Sequence, residues 1–336
     1  MEQNTRRTYE LIEKALEGTG LEYDEMEFLY GVDPRSRESY EVRWAAQQLS
    51  LRATNGKAEI HAQIGLNGTP CPKNCEFCSF AMCNGVRKGI NETSEEEVRT
   101  YAQAYEEQGA NLILLLCTAS YRFERLIEMI EITREVISPE MPLLINSFDL
   151  TLEQAKAVKA AGANGAYHAV RMDEGVRTTI PVETRLQTVA NLHEAGLSLS
   201  TCVEPVGPEH TPAQIAHYSK ICMDTKPVSA GVGRRIMVPG TIMEPLGQNP
   251  DIVNSLYVAV YRLATGLEPA LNCAVSSAIS ASSGGNLAWA EVGTNPRDVQ
   301  ERTEKGGKGS NIEYCERIFV NAGWEILEGP SQGWML

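Results

Sequence analysis

The chain has 336 residues, 43% hydrophobic and 7% aromatic, with a formal net charge of −14 and a pI near 5.0. That is enough apolar material for one large domain or two modest ones with a full core. The acidic balance, whose densest basic clusters are pairs such as Arg6-Arg7 and Arg234-Arg235, repels a phosphate backbone and argues against nucleic acid as a partner.

The first residues, MEQNTRRTYELIEKALEG, are polar and amphipathic without an apolar signal region. No later run approaches the roughly 20 apolar residues of a membrane helix, so a cytoplasmic chain with no membrane partner is expected. A helical leader over residues 1–55 precedes the first strand-like run, KAEIHAQI. Directly after that run comes NGTPCPKNCEFCSFAMCNG, residues 67–85, which carries four of the nine cysteines. Pro, Lys, Asn and Glu separate Cys71, Cys75 and Cys78, so the stretch is a polar loop, and loop thiols at C-x3-C-x2-C spacing read as metal ligands. Cys83 would give zinc a fourth thiolate, but zinc sites usually add a second short-spaced couple far along the chain, and none occurs. Three thiolates suit three corners of a cubane 4Fe-4S cluster and leave the fourth iron open for chemistry.

Further strand-like runs follow at NLILLLC, PLLINS, GAYHAV, LSLSTCVEPVG, VGRRIMVPG, ALNCAVS and GNLAWAEVG, with amphipathic helical patterns between most of them. Helix starts are marked by capping boxes at Ser94 with Glu97, Thr151 with Gln154 and Thr211 with Gln214, and Pro212 fits the first helical position. Strands alternating with helices mean parallel pairing. About eight strands predict an α/β fold, a (β/α) TIM-type barrel, complete or nearly so, over residues 56–325, with 326–336 as a C-terminal tail. No G-x-G-x-x-G follows an early strand, which argues against a dinucleotide fold. Cys117, Cys202 and Cys273 sit singly in apolar segments and read as small buried hydrophobes, as do Cys222 and Cys315 in helical patterns.

In such a barrel the chemistry gathers at the C-terminal ends of the strands, and the cysteine loop follows the first of them. CPKNCEFCSF, with Phe77 just before the last cysteine, resembles the signature of the radical SAM superfamily. The likeness extends over about residues 40–325 to its biotin synthase-like group. The resemblance implies an enzyme in which Cys71, Cys75 and Cys78 ligate a 4Fe-4S cluster and S-adenosylmethionine (SAM) occupies the open iron. Reductive cleavage of SAM would then yield a 5'-deoxyadenosyl radical that takes hydrogen from a small-molecule substrate. The implied reaction is a rearrangement or carbon-carbon cleavage in cofactor or amino-acid biosynthesis, with a flavodoxin or ferredoxin as low-potential electron donor.

The same resemblance carries further residues. PVETRLQTVANLHEAGL looks like the helix whose arginine grips the SAM carboxylate, which maps onto Arg185. RIMVPGTIMEPLG is similar to the loop that lines the adenine, near Val238 to Thr241. GAYHAVRMDEG matches the strand whose end touches the SAM ribose or amine, so Arg171, Asp173 and Glu174 are candidates. TASYRFE takes the place of the loop that receives the amine but lacks Gly-Gly-Glu, which leaves Thr118 and Ser120.

Two alternatives stay open. Sulfur insertion of the biotin or lipoyl synthase type needs barrel ligands for a second, sacrificial cluster. Cys117 matches one such position, PLLINS offers no cysteine, Cys202 is one residue out of register and LAWAEVG lacks an arginine. Cys117, Cys202 and Cys273 form an alternative set only if all three point inward. The other alternative is a non-catalytic iron-sulfur electron-transfer protein. For the substrate, polar residues on strand ends include Asn146, Ser147, His168, Glu204, Arg234, Arg235 and Glu291. Glu204 with Arg234 or Arg235 reads either as a catalytic clamp on a zwitterionic or carboxylated small molecule or as a buried pair bracing the barrel.

Overall fold

The computed structural model describes residues 2–334, so Met1 and the end of the expected tail, Met335 and Leu336, lie outside the described residues. Three helices lead: α1 (Glu2–Leu16), α2 (Tyr23–Tyr30) and α3 (Arg37–Ala53). Strand and helix then alternate through β1 (Lys57–Gly65), α4 (Glu95–Glu107), β2 (Leu112–Leu116), α5 (Phe123–Arg134), β3 (Leu143–Asn146), α6 (Leu152–Ala160), β4 (Gly165–Tyr167), α7 (Val182–Glu194) and β5 (Ser198–Ser200). The second half adds β6 (Val203–Val206), α8 (Pro212–Asp224), β7 (Ser229–Arg234), α9 (Asp251–Thr265), β8 (Leu271–Cys273), α10 (Ala278–Ala281), β9 (Leu287–Gly293), α11 (Ile312–Asn321) and β10 (Glu325–Ile326). All three expected capping boxes form, at the starts of α4, α6 and α8, and Pro212 opens α8.

Every strand pair is parallel, and the order β9-β1-β2-β3-β4-β5-β7-β8 runs round a barrel. The run LSLSTCVEPVG, expected as one strand, is two: β5 and β6 pair successive parts of β7, and the chain between them keeps a bond from Thr201 N to Ser229 O of 3.0 Å. No ladder joins β8 to β9. The seam is closed instead around Asn286, whose backbone N donates to Asn272 O at 3.0 Å, whose Oδ1 accepts from Asn272 N at 2.7 Å and whose Nδ2 donates to Ala270 O at 2.9 Å, with Val275 N donating to Leu287 O at 3.3 Å beyond it.

Period-two alternation decides what reaches the interior. On β2, Ile113 and Leu115, followed by Cys117, pack outward against Val98 and Ala102 of α4 and Leu126 and Met129 of α5, while Leu112, Leu114 and Leu116 face the barrel interior. The leader helices pack on α8 and α9, where buried Arg43 donates to Ser255 Oγ at 2.9 Å and Ile252 O at 2.7 Å. At the N-terminal end of the strands the tail folds in: Trp334 is fully buried with Leu112, Leu144 and Leu287, its ring 6.1 Å from that of His61. Among the described residues, no helix is long and apolar enough to cross a membrane.

Candidate functional site

Strand β1 ends at Gly65, where a Cβ would stand 1.9 Å from Thr294 O, so only glycine lets the chain leave the barrel at this point. The cysteine loop that follows folds on itself, with Cys71 N donating to Phe80 O at 2.7 Å, Met82 N to Cys71 O at 3.1 Å and Cys78 N to Cys75 O at 2.9 Å. Asn74 supplies the left-handed turn, at φ 49°. Four strand-end loops hold it in place. After β2, Thr118 pairs with Asn67 and Ser120 Oγ donates to Pro70 O at 2.7 Å. After β4, Thr179 N donates to Lys73 O at 3.0 Å and Arg177 pairs with Glu76 at 2.9 Å. After β7, Ile242 N donates to Asn84 Oδ1 at 2.9 Å, and after β9 Pro296 O accepts from Ser79 N at 2.9 Å.

Cys71, Cys75 and Cys78 are half-buried, and Cys71 and Cys78 rest on the apolar interior formed by Leu114, Leu116 and Phe80. Burial pushes the Cys78 thiol well up, with the neighbouring Cys75 and Cys71 adding to it, and pushes Cys75 up to about 11. Neighbouring thiols of which burial keeps Cys75 and Cys78 protonated call for a cationic partner that would draw off those protons. Cys78 Sγ already accepts a backbone bond from Phe80 N at 3.4 Å. Among the described residues, no three His, Cys, Asp or Glu side chains are grouped as one metal ion would need. Cys83 is exposed on the outside of the loop, its Sγ 3.9 Å from Asn74 O and Asn84 Oδ1.

Beside Cys75 lies a buried charge network. Arg185 donates from Nε to Glu174 Oε2 at 3.1 Å and from Nη1 to Asp149 Oδ1 at 3.1 Å, and its side chain is 9% exposed. Glu174 also accepts from Thr178 Oγ1 at 2.6 Å and Arg171 N at 2.9 Å. Burial opposes ionisation of Asp149, yet His168 and Arg185 hold its carboxyl down at about 2, while burial lowers the pKa of His168. One buried oxygen, Asp149 Oδ2, has no hydrogen-bond partner, and Lys73 Nζ stands 3.9 Å from it. An unpaired carboxylate oxygen beside a thiol loop fits an ammonium or hydroxyl donor of a bound molecule.

The barrel interior opens beneath the loop as a cavity of about 880 Å³, whose lining includes Gln63, Asn146, Tyr167, Cys202, Cys273 and Trp289. Glu204 lines it with Oε1 accepting from both the Tyr167 hydroxyl and Arg171, whose guanidinium lies 5.5 Å from the Tyr167 ring centroid. Burial and then Glu204 drive the Tyr167 pKa well up, so the phenol stays protonated. Arg234 also lines the cavity, pairing with Asp251 and donating to Asn249 O at 3.1 Å. Across the cavity Glu291 binds Arg297, Asn295 at 2.8 Å and Gln63 at 3.3 Å.

The geometry thus brings together Cys71, Cys75, Cys78, Arg171, Glu174 and Arg185 on one side of the loop, and Glu204 with Arg234 in the cavity below it. Other candidates lie apart. Arg235 points away from the cavity, bound through two nitrogens to Glu209 and through Nε to Gly247 O at 3.0 Å. Asp173 faces His210 at 3.3 Å, and Thr118 and Ser120 spend their hydroxyls on bracing. Phe77 is half-buried in the loop, and Val238 is buried with its carbonyl accepting from Thr241 Oγ1 at 2.8 Å. Asp149, Tyr167 and Arg297 were not readable as site residues. Asp149 sits in an ordinary SFDLT turn, and Tyr167 ends a three-residue strand too short for its facing to be read.

Residues 68–220 match the model of the radical SAM superfamily. Biotin synthase of Crocosphaera subtropica is 29% identical over 177 residues, a match that spans 47% of this chain and 44% of that enzyme. Biotin synthase of Ehrlichia canis is 24% identical over 223 residues, covering 64% of this chain and 68% of that one. Among solved structures, methylornithine synthase superposes with a TM-score of 0.77 at 16% identity, over 95% of this chain and 97% of that one. The FeFe-hydrogenase maturase HydG of Carboxydothermus hydrogenoformans gives 0.75 at 16% identity, over 96% and 80%.

Proposed function

From a chain that carries a radical SAM domain, is a homologue of biotin synthases and shares its barrel with methylornithine synthase and HydG, we propose an enzyme acting by hydrogen abstraction on a small molecule held in the barrel cavity. The family uses a 4Fe-4S cluster and SAM, which when bound supply the electron and the 5'-deoxyadenosyl radical that removes the hydrogen. Cys71, Cys75 and Cys78 would hold the cluster. Arg185, fixed by Glu174 and Asp149, would meet the carboxylate of SAM with its remaining nitrogen, and Asp149 Oδ2 would take its ammonium. The half-buried loop and the closed barrel floor keep water from a reactive radical.

Beneath the loop, Glu204 and Arg171 present opposite charges and Arg234 a second cation, which suits a substrate carrying a carboxylate or both charges. Tyr167, kept protonated, holds Glu204 in place. A rearrangement or carbon-carbon cleavage is favoured over sulfur insertion, because Cys117 packs outward and leaves no three-thiol set in the barrel wall. A low-potential donor such as flavodoxin or ferredoxin would supply the electron, in the cytoplasm.

The observation that carries the reading is the trio of half-buried loop thiols at the mouth of the cavity. Anaerobic reconstitution should give a brown protein whose reduced-cluster spectrum changes when SAM is added. Cys83→Ala should keep that change, and its survival in Cys75→Ala would overturn the reading. Arg185→Ala should weaken SAM binding by roughly tenfold to a hundredfold, the value of a partly buried charge-assisted contact.

A further inference from the structure

Strand β7 gives the cavity no side chain where it passes Glu204. Ala230 and Val232 pack outward against α8 and α9, so period-two alternation turns Gly231 and Gly233 to the interior, and Gly233 lines the cavity. The wall is therefore open there, and buried Cys202, just before β6, reaches the cavity beside that gap. Cys202 precedes Glu204 by two residues, and the two share the inward face, the thiol one step deeper in the barrel. A Cβ on Gly233 would stand 3.3 Å from both Cys202 Sγ and Glu204 Oε2, so thiol and carboxylate border one spot. The thiol is free, and its hydrogen rests only loosely on Val203 O, at 3.9 Å, a contact that a turn about the Cβ–Sγ bond releases.

That position has a chemical use. Glu204, with Arg171 and Tyr167, is the anchor proposed above for the substrate, so a molecule held by it has the cysteine loop above and Cys202 beneath. Once a hydrogen atom has been taken from it and its skeleton has changed, the resulting carbon radical needs a hydrogen atom to leave as a closed-shell product. A thiol in apolar surroundings keeps its proton, and an S–H bond is weaker than the C–H bond it would form, so transfer to carbon runs downhill. Cys273 also lines the cavity, but its Sγ is held more closely, 3.6 Å from Thr201 O.

We propose that Cys202 is the hydrogen-atom donor that quenches the product radical, from the side of the cavity opposite the cysteine loop. The proposal rests on the function proposed above and adds the residue that ends the reaction. The step breaks the Cys202 S–H bond and forms a C–H bond, leaving a closed-shell product and a thiyl radical. An electron from the same low-potential donor protein and a proton from solvent then restore the thiol. Each turnover thus takes one electron to cleave SAM and a second to reset Cys202, and SAM is consumed as a co-substrate.

SAM alone is the probe, given to the reconstituted full-length protein in D2O with titanium(III) citrate as reductant. With no substrate present, the 5'-deoxyadenosyl radical takes its hydrogen from Cys202, which carries deuterium by exchange. Mass spectrometry should find one deuterium in most of the 5'-deoxyadenosine, and Cys202→Ser should lower that fraction at least fivefold at equal iron content, while Cys273→Ser leaves it in place. An unchanged fraction in Cys202→Ser, or its loss in Cys273→Ser or Tyr167→Phe instead, overturns the proposal. Unlabelled 5'-deoxyadenosine from the wild type overturns it alone, whereas no 5'-deoxyadenosine from a protein with a full cluster overturns the function beneath it as well. A second measurement needs neither variant nor cofactor. In the wild-type protein iodoacetamide should modify Cys202, which faces the cavity, at least tenfold faster than Cys117, which packs outward, and equal rates would place Cys202 out of reach and overturn the assignment.

Discussion

Arg185 shows how a single side chain can be found for one reason and kept for another. Its helix and neighbours suggest a ligand grip, while the fold buries it between Asp149 and Glu174, so removing it would leave two carboxylates facing one another in a dry site. Breaking a buried pair costs about 3–5 kcal/mol, and Arg185→Ala should lower stability by that order in urea unfolding. The pH dependence has a definite sign. Asp149 ionises at about 2 in the fold, against roughly 3.9 in an unfolded chain, so it contributes on the order of 2 kcal/mol above pH 4, lost as pH falls toward 2. Arg185 supplies part of that depression, so the stability gap between wild type and Arg185→Ala should be widest near neutrality and narrow below pH 4. A gap independent of pH would place the role of Arg185 in packing alone.

At the scale of elements, what the sequence declares is what depends on neighbours along the chain. Ser94, Thr151 and Thr211 announce their helices because a capping box is closed within four residues, and the strand runs stand out because both faces of a parallel barrel strand are apolar. Features set by distant partners stay hidden. The break of LSLSTCVEPVG into β5 and β6 arises where β7 hands over from one to the other, and the two-residue β10 exists only because β1 extends beside it. Arg234 and Arg235 are adjacent, and only the fold decides that the first meets the cavity while the second meets Glu209. The seam between β8 and β9 is the same kind of feature, since the side chain of Asn286 joins two backbone bonds in place of a regular ladder. Asn286→Ala would strand Asn272 N in a buried place, at about 1–3 kcal/mol, while Ala270 O keeps its bond from Arg262 Nη2 at 2.9 Å. The denaturant midpoint should therefore fall by an amount equivalent to about 2 kcal/mol with an unchanged slope, and a shift below 1 kcal/mol would mean the seam is held by other contacts.

Over the whole molecule the barrel has one working end and one closed end. The cysteine loop and four strand-end loops crown the cavity, while Trp334 from the tail fills the opposite end against His61 and Leu112. Trp334→Ala should cost about 3–5 kcal/mol as a core deletion. It should leave SAM binding to the reconstituted protein unchanged within a factor of about two, a shift of about 0.4 kcal/mol, since the plug and the loop are at opposite strand ends. Loss of SAM binding in a folded Trp334→Ala protein would show the two ends to be coupled. The central claim is that the three loop thiols make this barrel a SAM-cleaving enzyme. The most direct measurement is 5'-deoxyadenosine formed from SAM by the reconstituted, reduced protein, beside the Cys75→Ala variant carried through the same treatment. Formation by the wild type and none by the variant is the predicted result, and equal amounts from both, or none from a wild type with a full cluster, would contradict it.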